Sequence, residues 1–75
     1  MNWRDFLESK PDILFGKMVI KNTRIPVDLI IEKLANNITI DDLLKAYPHV
    51  TVMSIQACLL YAAESIKHEK TLTVA

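Results

Sequence analysis

Glycine occurs once and cysteine once in this 75-residue chain, and histidine twice. Each scarcity excludes something. A lone Cys58 rules out an intrachain disulfide. One cysteine with His49 and His68 does not make a structural zinc site, which usually takes four spaced ligands. With Gly16 as the only glycine there is no phosphate-binding glycine loop. There is also no nucleophile beside a base and no pair of carboxylates in an apolar setting, so the chain reads as a non-enzyme without cofactor or metal. Charge of either sign is not in excess: nine basic and nine acidic residues cancel. A protein that wraps nucleic acid is usually basic, so any such contact must come from a local patch. No apolar run approaches the roughly 20 residues that cross a bilayer. None follows the N-terminal Met-Asn-Trp-Arg-Asp as an export signal would. A free thiol and no export signal lead to the expectation of a cytoplasmic protein.

What is present is aliphatic. The hydrophobic content is 51%, of which little is aromatic. A chain this short buries only about 60% of its unfolded surface and is marginal alone. So much apolar side chain leads to the expectation of self-association or a protein partner. Asn2 is placed to cap a short helix whose Trp3, Phe6 and Leu7 share a face, ending at Ser9-Lys10-Pro11 because the residue before proline leaves the helical region. Ile13-Leu14-Phe15 and Met18-Val19-Ile20 read as two short extended segments around Gly16. Pro26 suits the first position of a helix, and Val27, Ile30, Ile31 and Leu34 follow the i, i+3, i+4, i+7 pattern. Asn36-Asn37 stops it, with Asn37 left-handed. Thr39 and Asp42 form a weak capping box for a second helix carrying Ile40, Leu43, Leu44 and Tyr47, closed by Pro48. Thr51 caps a third, running to about Lys70, with a stripe of Val52, Ile55, Leu59, Ala62 and Ile66. Residues 57–63 are apolar on every side, so that helix should be covered on every side.

The expected fold is mainly α: a helix-turn-helix three-helix core, homeodomain-like or winged-helix-like, after a short N-terminal helix and a short extended segment. One domain spans 1–75, with the N-terminal helix and extended segment at 1–25, the core at 26–70 and a tail at 71–75.

The residues that carry a resemblance are Pro11 to Ile13, then GKMVIKNTRIPVDLIIEKLANNITIDDLLKAYPHVT, then IQACLLYAAE. They resemble the bacterial domain-of-unknown-function family 433 along nearly the whole chain. Its pattern runs Gly-Lys-Pro-Val-Ile-x-Gly-Thr-Arg-Ile-Pro-Val, then Leu-Ala-Asn-Gly, then Tyr-Pro. Met18 stands where proline is usual. Asn22 and Asn37 stand where glycine is usual, and both should keep a positive φ. The resemblance implies a helix-turn-helix protein, often an antitoxin paired with a toxin resembling PIN-domain ribonucleases. It implies a type II antitoxin that neutralises such a toxin, with a helix-turn-helix that could also serve to regulate its own operon. The alternative is a stand-alone DNA-binding regulator.

Site expectations follow. Lys17, Lys21 and Arg24, with Leu72 and Val74 of the tail, are candidates for binding the toxin. The bland reading leaves the lysines solvated and pairs Arg24 with Asp28 or another carboxylate. Met53, Ser54 and Gln56 on the third helix, with Lys33 and Lys45 before it, are candidates for operator DNA. However, no Arg or Lys lies between Thr51 and Ile66, so phosphate anchoring there is weak. A homodimer is expected, with Met18, Val19, Ile20, Leu60 and Tyr61 at the seam. Thr23 should hold the turn backbone, and Cys58 should be an inert core thiol.

Overall fold

The structure, a computed structural model, describes residues 1–69. Two short strands precede three helices, and the molecule is mainly helical as the sequence leads one to expect. The expected N-terminal helix is only a single 3-10 turn, Trp3–Asp5, capped by the Asn2 side chain on the Arg4 amide. The chain then becomes strand β1, Leu7–Ser9, paired antiparallel with β2, Met18–Ile20, in the register Leu7 to Ile20, Glu8 to Val19 and Ser9 to Met18. Of the two expected extended segments, Met18–Ile20 is β2, whereas Leu14 and Phe15 lie in a turn. Three residues are too few for a period-2 signal to compete with a helical one. Cross-strand hydrogen bonds and burial of Leu7, Val19 and Ile20 decide the matter in the folded chain.

Between the strands, Leu14, Phe15 and Gly16 all have positive φ, at 47°, 56° and 82°. The Ser9 hydroxyl donates to the Gly16 carbonyl and ties this turn back to β1. After β2 the chain reverses again. Asn22 takes φ 62° as expected, and its amide donates to the Glu8 carboxylate at 3.0 Å. Thr23 holds this turn as expected: its hydroxyl donates to the Ile20 carbonyl at 2.7 Å and accepts from the Ile25 amide at 3.0 Å.

Helix α1 covers Val27–Ala35, with Pro26 as its extended N-cap rather than its first residue. It stops at Asn36-Asn37, and Asn37 is left-handed at φ 66°. Helix α2, Ile40–Ala46, starts from a complete capping box of Thr39 and Asp42. Helix α3, Val52–Lys67, starts from a second one, Thr51 with Ser54, and ends three residues short of the expected Lys70.

The core joins Leu7 and Ile20 of the strands, Val27 and Ile30 of α1, Leu43 of α2, and Ile55, Ala57 and Cys58 of α3. Trp3 locks the N-terminal turn onto α3. Its indole N–H donates to the Glu64 carboxylate, its ring meets Tyr61 edge-on at 4.8 Å, and Arg4 lies 4.3 Å over it.

The buried face of α3 differs from the expected stripe. Ile55 is fully buried and Ala62 half-buried, but Val52, Leu59 and Ile66 are exposed, and the core is met instead by Ser54, Ala57 and Cys58. A helix apolar all round carries no phase in its periodicity, so packing against its neighbours sets its rotation. Residues 57–63 are accordingly covered on one side only, since Leu59 and Ala63 face solvent.

Candidate functional site

The basic cluster of the sequence separates in space. Lys17 is paired with Asp28, Nζ to Oδ2 at 2.7 Å, so Lys17 and not Arg24 meets that carboxylate. The Lys17 ammonium beside it holds the Asp28 carboxyl below its ordinary range. This pair sits at the edge of a groove of about 510 Å³, walled by Met18, Val27, Ile31, Tyr61, Ala62 and Ile66. Arg24 is exposed and lines a different groove of about 440 Å³, together with Glu8, Lys10, Ile13, Thr23 and His49. It makes no ion pair among the described residues. Lys21 is exposed in the turn between β2 and α1. Leu72 and Val74 lie outside the described residues.

The turn over residues 13–17 runs between the two grooves: Ile13 is in the wall of the second and Lys17 in that of the first. Midway stands Phe15, fully exposed, with Leu14 exposed beside it. Exposure of a whole phenyl ring forgoes the burial that makes aromatic side chains dominate cores and interfaces. Positive φ at bulky residues such as Leu14 and Phe15 adds backbone strain of about 1–3 kcal/mol each. Sequence reasoning missed Phe15 because an Ile-Leu-Phe triplet looks like a strand. The signal available was Gly16 directly after it, a residue suited to a reversal.

The DNA candidates are also divided. Met53 and Gln56 are exposed on α3. Ser54 is buried, and its hydroxyl accepts from the Thr51 amide at 2.9 Å and donates to the Thr51 carbonyl at 2.8 Å. It cannot turn outward to a base without uncapping the helix. Lys33 is half-buried on α1 and Lys45 exposed on α2. Of the dimer candidates, Val19 and Ile20 are consumed by the protomer's own interior, and Tyr61 packs against Trp3. Met18 and Leu60 are half-buried and keep some surface.

Among the described residues no three His, Cys, Asp or Glu side chains are grouped so as to hold a metal ion. Cys58 is buried, and desolvation pushes its thiol up to about 11, so it is protonated and unreactive at neutral pH. Among the described residues no helix is long and apolar enough to cross a membrane.

A crystallised family protein from Anabaena variabilis, solved at 2.00 Å, superimposes with a TM-score of 0.77 at 26% identity, over 81% of this chain and 60% of that one. An uncharacterised Sinorhizobium fredii protein, y4eO, is 32% identical over 59 residues, or 79% of this chain and 27% of that protein. The chain thus spans about a quarter of one relative and three fifths of the other. The sequence profile described as "Protein of unknown function (DUF433)" matches residues 7–62. That match takes in both strands, all of α1 and α2, and most of α3, and the chain belongs to this family.

Proposed function

We propose that this chain is a protein-binding module, the antitoxin of a type II toxin–antitoxin pair, and that it neutralises a PIN-like ribonuclease through the turns on either side of β2. The observation that supports the reading is Phe15: a fully exposed aromatic on a strained turn, with Arg24 exposed in the adjoining groove. Aromatic and arginine side chains are the types on which interface hot spots draw. PIN-like ribonucleases hold metal with several carboxylates, so their catalytic cleft is negative. The guanidinium fork of Arg24 is suited to a carboxylate through two parallel hydrogen bonds. The identity of the toxin as PIN-like rests on the family resemblance.

Binding of operator DNA is a secondary reading. It has Met53, Gln56, Lys45 and Lys33 to draw on, without a cation in the first four turns of α3. Weak or toxin-dependent binding to the protein's own promoter follows from that charge distribution.

The test is growth rescue in cells that express this chain together with a PIN-like ribonuclease. Phe15→Asn installs a residue that tolerates positive φ better than Phe, so it should fold. It should still weaken toxin binding by about 2 kcal/mol or more, the size of a lost hot spot. Arg24→Ala should weaken neutralisation while circular dichroism stays unchanged. Full neutralisation by both variants would refute the proposed contact.

A further inference from the structure

The face of α3 that turns away from the core has an order of its own. Val52, Gln56, Leu59, Ala63 and Ile66 are all exposed and spaced four, three, four and three apart. That is the period at which one helix meets another through knobs and holes. Val52 and Leu59 are each 45% exposed and Ile66 69%. From Val52 to Ala63 the helix carries no charge. The rest of the fold buries Ser54, Ala57 and Cys58 away from the seam and Ile55 at its border, and Ile66 at its end also walls the groove beside α1.

We infer that this seam pairs with the same seam of a second copy, antiparallel, about a two-fold axis at Leu59. Val52 and Ile66 lie seven residues to either side of Leu59, so an antiparallel copy sets Leu59 on Leu59 and Val52 on Ile66. Gln56 then falls close to Ala63, a long polar side chain against a methyl group. A two-fold contact must be self-complementary in this way, each residue meeting its counterpart twice. The uncharged seam and the zero net charge of the chain bring two copies together without repulsion. The arrangement differs from pairing of strands between chains, because β2 already has β1 on one side and bridges Pro26 through Val19 on the other.

Area sets the strength. From Val52 to Ile66 the seam is about 21 Å long at 1.5 Å per residue. One helix width over that length gives less than the roughly 800 Å² per partner of a standard stable interface. The dimer should therefore form reversibly at about 1 to 100 µM. Paired in this way, Gln56 is withdrawn from any DNA groove while Met53 stays exposed.

Sedimentation velocity of the full chain over that range should show a concentration-dependent dimer. Leu59→Lys places two charges face to face at the axis and should weaken it at least roughly a hundred-fold, with an unchanged helical spectrum. Cysteine cross-linking fixes the register, with the wild-type chain and its buried Cys58 as control. Leu59→Cys should form a disulfide dimer by itself. Val52→Cys and Ile66→Cys should cross-link when mixed and not singly. A monomer throughout, or a dimer indifferent to Leu59→Lys, overturns the inference, because a second copy then does not pair through Leu59. Self-linking of Val52→Cys and of Ile66→Cys overturns the antiparallel arrangement.

Discussion

Four non-glycine residues have positive φ among the described residues, and they divide into two kinds. Asn22 and Asn37 are the residue type that tolerates the left-handed region best after glycine, and each makes a reversal that the fold needs. Asn37→Ala should cost a fraction of the roughly 1–2 kcal/mol left-handed penalty, because both residues carry a Cβ and only the easing effect of the short polar Asn side chain is lost. A lowered urea midpoint with an unaltered slope checks it, the shift times the slope giving the free-energy change. Leu14 and Phe15 are the other kind, bulky side chains held left-handed and exposed. Phe15→Asn is expected to raise the melting temperature slightly, since it eases strain and removes no burial. The same variant should lose toxin binding. A residue that weakens the fold while serving a contact is the usual form of a stability–function trade-off. A lowered melting temperature would mean instead that the ring packs within the chain.

The helices owe their starts to local chemistry. Thr39 with Asp42 and Thr51 with Ser54 close capping boxes three residues apart, and the first is legible from the residue types alone. Thr51→Ala should destabilise by about 1 kcal/mol by freeing the Ser54 amide, measured by thermal or urea unfolding. The α2 cap also makes stability depend on pH. Its hydrogen bond from the Thr39 hydroxyl, and another from the Thr39 amide, favour the Asp42 carboxylate and lower its pKa from the ordinary 3.8. Lys17 lowers Asp28 in the same direction. A carboxyl depressed in the folded state contributes stability above its unfolded value and loses it as pH falls through the folded one. The melting temperature should therefore decline from about pH 3.8 downward, and less steeply in Thr39→Ala. The strands had no comparable local signature. Nothing within Leu7–Ser9 announces a strand; its pairing with the segment Met18–Ile20 does.

At the scale of the whole molecule, Trp3 joins the first residues to the last turns of α3 through Glu64 and Tyr61. Trp3→Ala should cost about 2 kcal/mol, below the roughly 3–5 kcal/mol of a fully buried tryptophan because this ring is only half-buried. Guanidinium unfolding of the variant, followed by circular dichroism, gives the figure. In the parent chain Trp3 is the sole tryptophan, so its fluorescence should change together with the helical signal if turn and helix unfold as one unit. The sequence by itself determined the three helices, the threonine caps of α2 and α3, the left-handed asparagines and the core side of α1. These depend on residues within a turn or two of each other, where hydrogen bonding and periodicity are local. Tertiary structure alone decided that Leu7–Ser9 is a strand, that Lys17 rather than Arg24 takes Asp28, and which way α3 faces. The last is the physical crux. A helix apolar on all sides has no preferred rotation until α1, α2 and Trp3 pack against it, and that packing is what leaves Val52, Leu59 and Ile66 in solvent.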